Sequence, residues 1–90
     1  MNILFRLDCN DEFGFGHMSR CSSIAKYMSK KYNSNIFFLS RNSIYQKNFS
    51  KINFIKKIVN YRSEKFSTNK DLIETIKVIK KNNIDLVILD

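Results

Sequence analysis

Residues 2–28 read NILFRLDCNDEFGFGHMSRCSSIAKYM, and this stretch decides the fold. Asn2–Leu7 is an apolar run of strand length, and a polar loop follows it over residues 8–16. From His17 onward the apolar residues recur with the spacing of one helix face, at Met18, Cys21, Ala25 and Met28. The stretch therefore predicts a strand, a loop and a helix, in that order.

The rest of the sequence continues this alternation. The first helix is expected to end near residues 32–33, and strands are expected at residues 35–40, 54–60 and 84–89. We predict a short helix at residues 41–52 and a longer one that is capped by Thr68 or Asn69 and ends at residues 82–83. Because crossovers of this length join parallel strands, the predicted fold class is α/β, a Rossmann-like parallel sheet with flanking helices. Ligands of such sheets bind at the carboxyl ends of the strands.

Burial can also be predicted for the last two elements. The buried stripe of the last helix is expected to be Leu72, Ile76 and Ile79, with Ile73 beside it. The strand at residues 84–89, IDLVIL, is apolar enough to be buried on both faces. Such a strand needs a covering helix and a neighbour, so residues 1–90 are expected to be a fragment of a longer protein.

The net charge of +8 suggests nucleic acid as a partner, but its distribution favours another explanation. Lys, Asn and Ile together account for 35 of the 90 residues, and all three have A/T-rich codons. Residues 1–25, which hold the glycine loop, carry a net charge of −1, whereas residues 26–90 carry +9. We therefore expect no nucleic-acid partner, and a basic nucleic-acid-binding module remains the alternative.

The sequence also bears on compartment and metals. The N-terminus lacks the apolar segment of a signal peptide, and no run of about 18 apolar residues occurs. We expect a cytoplasmic protein without a membrane partner, in which Cys9 and Cys21 are reduced thiols and Cys21 packs in the core. Two cysteines and one histidine cannot complete an ordinary four-ligand zinc site, so neither a metal nor a cofactor is expected.

The predicted loop before the first helix holds the residues best suited to catalysis and ligand binding. Gly14 and Gly16 are the only glycines of the chain, which indicates a positive φ or the close approach of a ligand. The only histidine, His17, follows them at the start of the predicted helix. The helix N-terminus favours a neutral imidazole and attracts phosphate, which suits a general base beside a phosphorylated substrate. A surface or capping histidine in a tight turn is the alternative.

Other polar residues at the same edge of the sheet are candidates for binding. Asp8 ends the first strand and can orient a histidine, grip a hydroxyl or merely satisfy loop N–H groups. Arg20 lies one turn after His17 and is a ligand for phosphate, a partner for Asp8 or a solvated side chain. Asp90 follows the last strand, either as a ligand-edge residue or as a strand terminator.

A dinucleotide site is a further alternative. The sequence Gly14-x-Gly16-x-x-Ser19 lacks the third glycine of the dinucleotide motif, and Ser40-Arg41 follow the second strand where NAD sites carry an acidic residue. Arg41 suits a 2′-phosphate, which leaves an NADP enzyme open. No lysine follows the loop at the P-loop position, which excludes a P-loop NTPase.

One known family shares these motifs. The segments FRLD at residues 5–8, FGFGHMSRC at 13–21 and IA at 24–25 resemble the N-terminal signature of the UDP-sugar hydrolases of pseudaminic acid biosynthesis, R-x-D, G-x-G-H-x-x-R-C and L-A. DLVILD at residues 85–90 resembles the strand that leads into an Asp-x-Tyr segment in that family. More loosely, the segments are similar to spore-coat polysaccharide proteins and GT-B-type glycosyltransferases.

The resemblance implies a fold, a reaction and a set of site residues. The chain would be the N-terminal part of a GT-B-type fold, and a C-terminal domain would hold most of the uridine diphosphate. The reaction would be the metal-independent, inverting hydrolysis of UDP-2,4-diacetamido-2,4,6-trideoxy-β-L-altropyranose to UDP and the free sugar. His17 would be the general base, and the substrate would be bound by Arg6, Asp8, Gly14, Gly16, Arg20 and Asp90. A GT-B-type glycosyltransferase, in which His17 activates an acceptor hydroxyl, is the competing function.

Overall fold

The computed structural model describes residues 1–8, 16–42 and 54–89. Its elements are β1 (Asn2–Arg6), α1 (Gly16–Lys31), β2 (Asn35–Arg41), β3 (Ile55–Tyr61), α2 (Thr68–Asn82) and β4 (Leu86–Leu89). The strands form one parallel sheet in the order β3-β2-β1-β4, flanked by the two helices. The α/β class and the Rossmann-like parallel sheet are thereby confirmed. The short helix predicted at residues 41–52 lies outside the described residues, except that Arg41 belongs to β2.

The order of the strands places a switch point beside β1. The chain runs from β1 to β2 and β3 in one direction, and α2 then returns it across the sheet to β4 on the other side of β1. Phe5 of β1 is paired with Phe38 of β2 on one side and with Ile88 of β4 on the other. In open α/β sheets ligands bind outside the carboxyl ends of the strands at such a point.

Alternate residues of β1 enter two separate cores. Ile3, Phe5 and Leu7 pack with Cys21 and Ala25 of α1, and the rings of Phe5 and Phe38 meet edge to face at 5.6 Å between centroids. On the other face, Leu4 lies in a cluster with Val78 of α2 and with Tyr61. Because strand side chains alternate between faces, β1 is buried on both. Cys21 is 2% exposed, which confirms it as a core residue.

The buried stripe of α2 differs from the prediction. Leu72 and Ile73 are 55% and 52% exposed and Ile76 is 38% exposed, whereas Thr75 and Val78 are buried. The stripe passes instead through Asp71, whose carboxylate is bonded to Arg6 of β1. Residues spaced by three or four from Asp71 therefore face the sheet, whereas Leu72, Ile73 and Ile76 are turned away from it. Ile79, the last residue of the predicted stripe, is half-buried and packs against the cluster that holds Leu4 and Val78.

The ends of α2 are set by local hydrogen bonds. The cap is Ser67, not Thr68 or Asn69, because the Ser67 hydroxyl accepts a hydrogen bond from the Lys70 amide at 3.3 Å. At the other end Asn83 has a left-handed backbone, with φ of 52°, and its N–H donates to the Ile79 carbonyl. The predicted end at residues 82–83 is confirmed.

β4 is shorter and less buried than predicted. It begins at Leu86, and it forms an edge of the described sheet, paired to β1. Leu86 and Leu89 are 39% and 75% exposed, so the prediction that this strand is buried on both faces is wrong. Among the described residues β4 has a neighbouring strand on one side only, which leaves these side chains open to solvent.

Asn2 ties three elements together at the amino edge of the sheet. Its side-chain amide donates to the carbonyls of Asn82 and Asn83 at 3.1 Å each, and its oxygen accepts from the Asn35 amide at 2.9 Å. Its backbone N–H donates to the Asp85 carboxylate at 2.7 Å. These bonds fix the end of α2 and the approach to β4.

Among the described helices, none is long and apolar enough to cross a membrane.

Candidate functional site at the carboxyl edge of the sheet

Arg6, the last residue of β1, is the centre of a polar network at the carboxyl edge. Its side chain is 8% exposed and lies on the face that α2 covers. Nε donates to both carboxylate oxygens of Asp71, at 3.0 and 3.2 Å, and one Nη2 proton reaches Asp71 Oδ1 at 2.6 Å. Nη1 donates to Asp8 Oδ1 at 2.8 Å and to the Leu7 carbonyl at 2.9 Å. A guanidinium has five N–H donors, so at most one remains for a ligand.

Asp71 joins this network from the first turn of α2. Its carboxylate accepts hydrogen bonds from Arg6 and from the hydroxyl of Tyr61, the last residue of β3. The backbone of the same residue is also bonded, because its carbonyl accepts from the Thr75 hydroxyl at 2.7 Å. Asp71 therefore connects the carboxyl ends of β1 and β3 to the start of α2.

The network shifts the pKa values of all three of these groups. Burial would raise the pKa of Asp71, but the hydrogen bonds from Arg6 and Tyr61 outweigh it and lower the pKa below the ordinary value. Burial would likewise lower the pKa of Arg6, but its bonds to Asp71 and Asp8 raise it. Burial and then the hydrogen bond to Asp71 raise the pKa of Tyr61 to about 12. At neutral pH the network therefore holds an anionic Asp71, a cationic Arg6 and a neutral Tyr61.

Asp8 connects the network to β2. Its Oδ1 accepts from Arg6 Nη1 and from the backbone N–H of Arg41, at 2.8 and 3.1 Å. The side chain is 18% exposed. Since both bonds go to one oxygen, Oδ2 has no hydrogen bond to any residue in the described ranges.

Arg41 ends β2 next to Asp8. Its Nη1 donates to the Ser63 carbonyl at 3.3 Å, and its guanidinium carbon lies 5.5 Å from the centre of the Phe66 ring. Nε is buried and has no hydrogen-bond partner. The next residue, Asn42, has φ of 51°. Its side-chain amide donates to the Ser63 carbonyl, and its side-chain oxygen accepts from the Ser63 N–H. These contacts hold the chain after β3 against the end of β2.

The sequence-predicted site residues fall into three groups. Arg6 and Asp8 form a direct ion pair. Gly16 and His17 begin α1, which packs on the opposite face of the sheet from Arg6, and Arg20 is exposed on the same helix. The His17 side chain, Gly14 and Asp90 lie outside what the structure describes, as does Cys9.

Sequence reasoning missed two residues of the network, Asp71 and Tyr61, and considered Arg41 only for a 2′-phosphate. An aspartate in the first turn of a helix is favoured by the helix dipole alone. The sequence therefore gives no reason to look for an ion-pair partner of Asp71. Tyr61 lies one residue beyond the strand predicted at residues 54–60. Only the topology of the predicted sheet could have indicated these two residues, because the carboxyl ends of parallel strands and the start of the following helix meet at one edge.

Two open grooves flank α2. The larger, about 500 Å³, lies between β3 and α2 and is lined by Lys57, Lys77 and Lys81 among others, away from Arg6. The smaller, about 360 Å³, borders Asp71 and is apolar, with Phe66, Leu72 and Leu89 on its walls. The smaller groove is the one that opens beside the carboxyl-edge network. No cluster of three His, Cys, Asp or Glu side chains that could hold a metal occurs in the part of the chain that the structure describes.

Comparison with known proteins gives no relative for this chain. No protein-family model, curated protein or solved structure matches it. A function for the chain therefore rests on the carboxyl-edge residues and on the motifs at residues 5–8 and 13–25.

Proposed function

We propose that this chain is part of a UDP-sugar hydrolase of the kind that acts in pseudaminic acid biosynthesis, as the N-terminal Rossmann-like domain of a GT-B-type fold. The observation that carries the proposal is the position of His17. It is the second residue of α1, the helix that follows β1 along the chain, and β1 lies beside the switch point of a parallel sheet. Its motif, with Gly14 and Gly16 before it and Arg20 after it, is the one that resembles the hydrolase family.

The reaction requires one proton transfer from water. In the proposed mechanism His17 removes a proton from water as the oxygen attacks the anomeric carbon, and a new C–O bond forms with inversion. The bond between that carbon and the diphosphate oxygen breaks, and UDP leaves with the electron pair. The start of a helix supports this role because its partial positive charge favours the neutral imidazole that a base requires.

The polar network at the sheet edge contributes positioning. Most N–H donors of Arg6 are bonded to Asp8, Asp71 and the backbone, so in this proposal Arg6 positions Asp8. Asp8 keeps one oxygen for a substrate hydroxyl, and Gly14, Gly16 and Arg20 would shape the phosphate pocket with Asp90 nearby. The remaining wall, which binds uridine diphosphate, would come from a C-terminal domain in the same polypeptide. The enzyme would be cytoplasmic and would need no metal or cofactor.

Release of UDP tests the proposal. The assay uses the longest natural reading frame that contains residues 1–90, with the UDP-sugar as substrate. Replacing His17 by Gln removes the base, and a loss of roughly 10²–10⁴-fold in kcat is expected. Lys30→Gln on the exposed side of the same helix is the control and keeps full activity.

Two results would overturn the assignment. Activity of the His17→Gln variant within a few-fold of wild type means that His17 is not the base. A new glycoside in place of free sugar means that the enzyme is a glycosyltransferase, in which the same histidine activates an acceptor hydroxyl.

A further inference from the structure

We propose that Arg41, at the carboxyl end of β2, binds a phosphoryl group of the ligand through its guanidinium. In the proposed function that group belongs to the diphosphate of the UDP-sugar, and this identification of its source rests on that function. The phosphoryl site itself follows from four features of Arg41: its position, the way it is held, an unpaired donor and the lack of a carboxylate partner among the described residues.

The position is the ligand edge of the sheet. Arg41 is the last residue of β2, and its backbone N–H is bonded to Asp8 Oδ1 at the end of the neighbouring β1. Doubly wound sheets take nucleotides at this edge, beside the switch point. Arg41 therefore lies one strand away from the point where the direction of winding reverses.

The side chain is held in place before any ligand arrives. Its Nη1 donates to the Ser63 carbonyl, and the guanidinium lies over the Phe66 ring. Ser63 is itself fixed by its two hydrogen bonds with Asn42, at 2.5 and 2.9 Å. An arginine anchored in this way loses little conformational freedom when it binds an anion, which favours affinity.

The guanidinium of Arg41 nevertheless has a hydrogen-bond donor without an acceptor. Nε is buried without an acceptor, and buried donors in folded proteins are nearly always paired. No carboxylate among the described residues lies within 4.0 Å of this guanidinium, because Asp8 and Asp71 direct their side chains to Arg6. A cation that no described carboxylate pairs with, and that keeps a donor without an acceptor, favours an anionic ligand.

A phosphoryl group fits this site in shape and charge. Arginine presents N–H donors in a planar fork that matches two oxygens of a phosphate, and such charge-assisted bonds are among the strongest in proteins. The Phe66 ring is 56% exposed, so it also offers apolar surface to the organic part of the ligand. We therefore assign to Arg41 a phosphate ester or diphosphate, not free inorganic anions alone.

The Nε–H signal of arginine in a ¹⁵N NMR spectrum reports on this contact directly. The chain has only four arginines, so the Arg41 signal can be assigned with the variant Arg41→Lys. UDP, 2′-AMP and uridine are titrated separately into the protein used in the UDP-release assay, which is encoded by the longest natural reading frame that contains residues 1–90. UDP is expected to shift the Arg41 signal and slow its exchange with water, while uridine has no effect.

Variants measure the contribution to affinity. Arg41→Lys keeps the charge but loses the fork, and it is expected to weaken UDP binding roughly 10-fold or more. Arg62→Lys is the matched control, since Arg62 is exposed on the loop that follows β3, and it binds UDP as wild type does. The backbone amide spectra of both variants must match that of wild type.

The outcomes separate this site from the proposed function. A response to 2′-AMP with none to UDP supports the phosphoryl site and contradicts the UDP-sugar hydrolase. An Arg41 signal that responds to neither nucleotide overturns the site, and so does unchanged UDP affinity in Arg41→Lys. The His17→Gln assay above is unaffected by any of these results.

Discussion

Arg6 and Asp71, 65 residues apart in the sequence, are joined by three hydrogen bonds between the end of β1 and the first turn of α2. The shortest is 2.6 Å, and the side chains are 8% and 19% exposed. Because α2 packs lengthwise on the sheet, a fixed point in its first turn sets the rotation of the whole helix. The polar contact thus decides which side chains of α2 are buried.

Asp71→Asn tests this role. The variant removes the negative charge that faces Arg6 and leaves a mostly buried guanidinium without one of its two ion pairs, so we expect a loss of about 3 kcal/mol in the free energy of unfolding. Urea unfolding followed by circular dichroism measures it. Leu72→Asn is the control on the next residue, and since Leu72 is 55% exposed its loss is expected to stay below about 1 kcal/mol.

The two variants also discriminate between two rotations of α2. If the row through Leu72 and Ile76 faced the sheet, as periodicity alone suggests, Leu72→Asn would be the more destabilising of the two. Such a result would contradict the ion pair as the determinant of helix rotation.

The Arg6–Asp71 ion pair also explains why the buried face of α2 differs from the one that the sequence predicts. The strands and the first helix are predictable because alternation and the three-to-four spacing are local patterns, as residues 2–28 show. The buried face of α2 is not, because its apolar residues Leu72, Ile73 and Ile76 outweigh Asp71 in any local pattern. Of the site, the sequence places Arg6 and Asp8 at one strand end and offers Arg20 as a partner for Asp8, whereas the structure pairs Asp8 with Arg6. Asp71 and Tyr61 join this pair only through the topology of the sheet.

Acid should weaken the protein through Asp71. Its pKa in the folded chain lies below the ordinary value of 3.8, so the ion pair contributes fully above that value. The contribution is lost as the pH falls through the lower, folded pKa, where the carboxylate becomes protonated. We expect the stability difference between wild type and Asp71→Asn to be full at about pH 7 and to shrink as the pH falls below 3.8.

Urea unfolding of both proteins across this range provides the measurement. Glu64→Gln serves as the comparison, because Glu64 is an exposed carboxylate on the loop after β3. A stability difference for Asp71→Asn that stays constant down to the lowest pH would show that its carboxylate does not act as an anion in the folded protein.

Tyr61 should lose its proton at a higher pH than a free tyrosine side chain does. Burial and the hydrogen bond that its hydroxyl donates to Asp71 raise its pKa to about 12, against 10.0 for the free side chain. The raised pKa means that the folded state retains this proton after the unfolded state has lost it. Tyr61 therefore contributes stability in full below pH 10.0, and that contribution is lost as the pH rises to about 12.

The ultraviolet absorbance of tyrosinate follows this step. The chain has four tyrosines, so a component centred near pH 12 is expected to carry about one quarter of the total change. Tyr61→Phe should remove that component, and Tyr27→Phe, at an exposed position on α1, should keep it. Asp71→Asn takes away the anion that opposes ionisation of Tyr61, so the component should move to lower pH. A component that stays near pH 12 in Asp71→Asn would mean that burial alone, without the carboxylate, accounts for the shift.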